Sequence, residues 1–125
     1  MGRVEEKLRL LKPLISLSSI SIERRAPTRL VLRGTIVFID GSKLTFLEYI
    51  VSEEEKLERI SYRFHYTDRD NNLIFRYDNA PHHKELSSYP HHKHLADGRV
   101  IEAYPISLLE VLDEISMLLL KWKAR

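Results

Sequence analysis

Histidine is the one side chain whose ordinary pKa lies near neutrality, so clustered histidines are the first place to look for proton-transfer chemistry. This chain has six. Five of them, His82, His83, His91, His92 and His94, fall in one stretch, RYDNAPHHKELSSYPHHKH over residues 76–94. The sixth, His65, lies upstream in YRFHYT, two residues after Arg63. Two imidazoles and an arginine are enough to cleave RNA. One imidazole takes the 2′-hydroxyl proton, another protonates the leaving oxygen, and the guanidinium stabilises charge building on phosphorus. His65 with Arg63, Arg76 and the downstream histidines fits that scheme, with Asp78 to orient an imidazole or hold an arginine.

A metal site is the competing chemistry. His92 and His94, or His91 and His94, have chelating spacings, and Asp78, Glu85 or Asp97 could complete an oxygen–nitrogen set for zinc. No H-E-x-x-H run is present, and the reading adopted has no metal and no cofactor. Phosphate binding is the third candidate. Arg24, Arg25, Arg29, Arg33 and Arg59 add positive charge, and Tyr77 and Tyr89 offer surfaces for stacking bases. The ordinary alternative is that these cations solvate strands and pair with the 18 acidic residues. There is no glycine-rich phosphate loop, and no cysteine to act as nucleophile or thiolate ligand.

The elements that carry these residues are legible in outline. Val4, Leu8 and Leu11 repeat at helical spacing, so Gly2–Lys12 reads as a short helix stopped by Pro13. Ile15 and Leu17 have one parity and Ile20 and Ile22 the other, which predicts a bulge at Ser18–Ser19. Asp40-Gly41 signals a hairpin between residues 30–39 and 43–51, and a two-residue loop there would set Arg33 opposite Glu48. In Leu57–Thr67, Ile60, Tyr62, Phe64 and Tyr66 make an apolar face, and Arg59, Arg63 and His65 a polar one. Leu73–Tyr77 continues the pattern after DRDNN. Matching the apolar faces across a two- or four-residue loop places Arg63 opposite Asp78 and His65 opposite Arg76. Residues 76–94, with two prolines, read as a long loop. Gly98 marks a turn before a short strand at Arg99–Ala103. Ser107 and Glu110 form a capping box for a last helix whose apolar face is Leu108, Val111, Leu112, Ile115, Leu118, Leu119 and Trp122.

The expected fold is therefore α+β. It comprises an antiparallel meander of about five strands, a short N-terminal helix, a longer C-terminal helix and a long His-rich loop, all in one domain over 1–125. No apolar run approaches the roughly 20 residues of a membrane span. The N-terminus has acids and no apolar signal core, so the expected location is cytoplasmic. Glutamine is absent and 30% of residues are charged, a balance that suggests a thermophilic source.

The motifs YRFHYTD, LIFRYDNAPHH and YPHHKH, followed by ISLLEVLDEI, resemble the TumE-type toxins of prokaryotic toxin–antitoxin systems. The resemblance covers Ser61 to Ile115, and Ser88-Tyr89 departs from the threonine-phenylalanine expected before the second Pro-His-His. It implies a small intracellular toxin held by a cognate antitoxin protein, and a homodimer is compatible with it. The positions it marks are Arg63, His65, Arg76, Asp78, Asn79, His82, His83, His91, His92 and His94. Small toxins of this size commonly act on RNA or translation, so the resemblance agrees with the acid–base scheme. The function expected is metal-independent RNA cleavage. His65, His82, His83, His91, His92, His94 and Asp78 are the candidate proton-transfer and orienting groups. Arg63, Arg76, Asn79 and Tyr89 are the candidate RNA-binding groups. The rival is a non-enzymatic RNA- or protein-binding module whose histidine loop is structural or binds zinc.

Overall fold

A computed structural model describes residues 2–123, with side chains as far as Lys121. Helix α1 (Gly2–Leu10) runs into a 3-10 turn at Lys12–Leu14, where Pro13 loses nothing by lacking an N–H. Seven strands follow: β1 (Ile15–Ala26), β2 (Arg29–Phe38), β3 (Lys43–Glu53), β4 (Lys56–Thr67), β5 (Leu73–Asp78), β6 (His92–Leu95) and β7 (Val100–Glu102). Each pairs antiparallel with its neighbours in sequence, and helix α2 (Leu108–Lys123) closes the fold. The α+β class and meander are as expected, but the strand number is seven, not about five. The stretch 76–94 is not one loop. Its first three residues finish β5, its last three open β6, and 79–91 connects them. A strand made of His, Lys and His is easily mistaken for loop, because no apolar alternation marks it.

Both helices cover one face of the sheet. Ile36, Phe38, Leu44, Phe46, Tyr62, Phe64, Tyr66, Phe75 and Tyr77 pack there against Leu14, Leu108, Val111, Leu112, Ile115 and Leu119. Ser107 Oγ accepts the Glu110 amide at 3.2 Å while the Glu110 carboxylate accepts the Ser107 amide at 3.2 Å, the predicted capping box. Leu118, expected on the packed face, is 38% exposed. Trp122 lies outside the residues whose side chains are described. No helix among the described residues is long and apolar enough to cross a membrane.

Four local features of the sheet differ from expectation. Gly41 has φ +85° and Gly41 N–H bonds to Phe38 O, so the β2–β3 connection has three residues, with glycine in the left-handed position. Arg33 then faces Leu47, and Glu48 faces Leu32. In β1 the irregularities fall between Ile15 and Leu17 and between Arg24 and Ala26, not at Ser18–Ser19. In β4 a bulge at Ile60 reverses the strand's parity, turning Arg59 under the helices and Ile60 outward. Arg59 there pairs with Glu48 at 3.2 Å and donates to Ile106 O at 2.6 Å. The β4–β5 loop is neither of the two lengths expected. Asn71 sits in it at φ +66°, and a second irregularity between Tyr66 and Thr67 restores the expected pairing beyond it.

Candidate active site on the open sheet face

The face away from the helices collects the charged side chains. Two rows cross it, two residues apart along each strand and so on the same face. In the first, Thr45, His65, Arg76, His94 and Val100 are successive cross-strand partners on β3 to β7. In the second, Arg33, Leu47, Arg63, Asp78, His92 and Glu102 follow one another on β2 to β7. The expected pairings Arg63–Asp78 and His65–Arg76 are therefore present, and β6 adds His92 beside Asp78 and His94 beside Arg76.

Asp78 is the centre of this arrangement and is only 4% exposed. A carboxylate so buried needs partners. Its Oδ1 accepts the Ala80 amide at 2.9 Å and meets His92 Nε2 at 2.9 Å. Its Oδ2 lies 3.5 Å from His94 Nε2 and 3.2 Å from Arg76 Nε. The Arg76 contact is an ion pair without hydrogen-bond alignment, so its buried Nε has no hydrogen-bond partner among the described residues. His92, 2% exposed, donates from Nδ1 to the Pro90 carbonyl at 2.9 Å, because that carbonyl can only accept.

The connection 79–91 is a series of turns pinned to the sheet. Asn79 Oδ1 accepts the Tyr62 amide at 3.0 Å and its Nδ2 donates to Ile60 O at 3.2 Å. Both ends of the amide are thus committed to β4, which makes Asn79 an anchor for the loop. Ser88 Oγ donates to His91 O at 2.6 Å and accepts the Ala103 amide at 3.1 Å. His83 has φ +60°, a left-handed conformation that costs energy for a residue with a Cβ. That turn directs its ring to within 5.1 Å of His92 and 5.8 Å of His94, centroid to centroid.

The remaining histidines divide by position. His65 is half-buried among like charges. Burial first, then Arg76, Arg63, Lys43 and His94, hold its pKa below the usual histidine value. His94 is lowered by burial, against the opposing pull of Asp78. His91 is not part of the cluster. It stacks on Tyr62 with centroids 5.7 Å apart, and its Nδ1 is 2.7 Å from the Tyr62 hydroxyl. Burial pushes the Tyr62 phenol up to about 12, so the group facing His91 Nδ1 is a neutral phenol. His82 is exposed, and Tyr89 is 39% exposed. Tyr77 cannot serve as a stacking surface, because it is buried with its hydroxyl donating to Glu114 at 2.5 Å.

Two shallow grooves border the rows. One, of about 350 Å³, is lined by Ser19, Ser21, Arg33, Thr35, Leu47 and Arg63. The other, also about 350 Å³, lies against Tyr49, Ser61, Arg63, Arg76, Asp78 and Pro81. Tyr49, 40% exposed, is a surface that the sequence reading did not single out. Alternation in β3 could have placed it on the polar side once the three-residue turn was known.

No curated protein and no solved structure matches this chain. A family profile described as "Toxin TumE" does match, over residues 4–119. That span takes in most of α1, the whole sheet, both rows of the open face and the packed length of α2, so the chain belongs to the TumE toxin family.

Proposed function

We propose that this toxin is an endoribonuclease, restrained by a cognate antitoxin protein, that cuts RNA by histidine acid–base chemistry on the open sheet face. The observation that carries the reading is the row His65–Arg76–His94, an arginine flanked on either side by a histidine on the next strand. Strand spacing sets the two histidine backbones about 10 Å apart, and a phosphodiester over Arg76 would lie between their rings.

In this reading His65 takes the proton from a ribose 2′-hydroxyl and O2′ attacks phosphorus. The bond from phosphorus to O5′ breaks, and His94 gives its proton to the departing O5′. The products are a 2′,3′-cyclic phosphate and a 5′-hydroxyl. Arg76 and Arg63 bind the non-bridging oxygens, where negative charge grows in the transition state. Asp78 holds Arg76 and His94 in place. The flanking grooves, with Arg33 at one end and Tyr49 at the other, suit a single strand whose phosphates follow cations and whose bases stack.

The test is incubation of untagged protein with mixed cellular RNA, with and without EDTA, beside His65→Ala. Cleavage should persist in EDTA, fall by about 10²–10⁴-fold in the variant, and fail on a strand carrying 2′-deoxyribose at the cut. Absence of cleavage by folded protein in every condition sinks the ribonuclease reading and leaves the family membership standing. Cleavage abolished by EDTA would show that the histidine–arginine row does not suffice.

A further inference from the structure

We infer that His83, His92 and His94 form a binding site for one divalent transition-metal ion, with Asp78 supplying compensating charge. Their ligand atoms lie within 4.8 Å of one another. The three rings meet edge to face, the closest pair being His92 and His94 at 4.9 Å between centroids. A shared ion about 2.0–2.1 Å from each nitrogen requires the rings to close inward by about an ångström. His83 lies among the turns of 79–91, half-buried with Nδ1 3.5 Å from Glu85 Oε1, and its ring would supply that movement.

Three further features favour an ion over a simple hydrogen-bonded cluster. His92 is oriented by its Nδ1 bond to Pro90 O, which leaves Nε2, 2.9 Å from Asp78 Oδ1, as its ligand atom, as backbone carbonyls orient metal-bound histidines. The left-handed backbone at His83 spends conformational energy to bring a third imidazole where two already converge. The Asp78 carboxylate is almost fully buried and within 3.5 Å of two of the three rings. Imidazole with carboxylate, and no thiolate, suits zinc, nickel or iron(II). The set adds His83 to the His92–His94 pair with Asp78 that the sequence suggests, and leaves out His91, committed to Tyr62, and Asp97, held by Arg99 at 2.7 Å.

A metal at this site takes His94 out of proton transfer. The metal-loaded protein is then the form that does not cut RNA, and this consequence alone rests on the proposed function.

The site is tested without RNA. Untagged protein is stripped with EDTA, dialysed against zinc, and assayed for bound metal and for thermal stability. Wild type should bind one zinc per chain and unfold at higher temperature with zinc present. His83→Ala should lose that zinc while keeping its circular dichroism spectrum. Asp78→Asn should weaken binding by about 10–100-fold. His82→Ala, an exposed neighbour, should bind as wild type does. No bound zinc in folded wild-type protein overturns the site, as does zinc that His83→Ala retains. If zinc binds as described, cleavage by the stripped protein should fall as zinc is added. Cleavage absent even from stripped protein counts against the ribonuclease reading and leaves the metal counts to stand alone.

Discussion

His65 takes its character from the cations around it. It can accept a proton only when neutral, and burial together with Arg76, Arg63, Lys43 and His94 makes its charged form costly. The acid limb of its pH–rate profile should therefore lie below pH 6.5, the value of an unperturbed histidine. Removing one of those cations relaxes the repulsion. Arg63→Ala should move the acid limb of kcat/KM upward toward pH 6.5, apart from whatever it does to the maximum rate. A rate that merely falls, with an unmoved limb, would mean that Arg63 binds phosphate without influencing His65, or that His65 is not the base.

Single residues also show how far the sequence could be read. The pairing of Arg63 with Asp78 and His65 with Arg76 was legible, because faces of opposite polarity allow only one parity of register. The division of the histidines was not. His91 and His92 are adjacent, yet one stacks on Tyr62 and the other bonds to Asp78. Which of them joins His83 and His94 depends on turns in 79–91, which no periodicity announces. Arg59 was misplaced for a related reason: the Ile60 bulge reverses the strand, and nothing in the run KLERIS marks it.

At the scale of elements, the two-residue connection between β3 and β4 carries a conflict between sequence and backbone. Glu54 and Glu55 have φ +49° and +64° between the paired residues Glu53 and Lys56. A tight hairpin turn of this kind wants asparagine and glycine, since both central residues are left-handed. Each such residue with an ordinary side chain costs roughly 1–2 kcal/mol, and glycine gives part of that back through its freer unfolded chain, roughly 0.5–1 kcal/mol. Replacing the pair by Glu54→Asn with Glu55→Gly should thus stabilise the protein by about 1 kcal/mol, read as a higher urea midpoint at unchanged slope. A lower midpoint would mean that the glutamates make contacts which outweigh the strain. The acidic composition here marks a turn but hides its type, just as the polar run His92–Leu95 hides a strand that only pairing with β5 reveals.

The whole molecule is a sheet covered on one side by helices and left open on the other, and the open side concentrates groups that resist protonation. Burial and nearby cations lower the pKa values of His65 and His94 on that face, and of His91 beside Tyr62 on the other, in the folded chain. The facing charges are Arg63, Arg76, Lys43 and His94 for His65, and Arg59 and His92 for His91. For His94 they are His92, Arg76 and His83, opposed by Asp78. In the unfolded chain these three titrate near pH 6.5. Below that pH the unfolded state binds more protons than the folded one, so stability rises with pH across this window and falls on acidification. The stability these groups contribute is fully present above pH 6.5 and is lost as pH drops through their lower folded-state values. Urea unfolding in EDTA at steps from pH 8 to pH 5 should show a level midpoint above about pH 7 and a steady decline below about pH 6.5. His65→Asn should flatten part of that decline. Stability that stays level down to the carboxylate range would mean that the open face accepts these protons as readily as the unfolded chain does. The three histidines would then be solvated side chains, and the open face would lack the electrostatic character on which the acid–base reading depends.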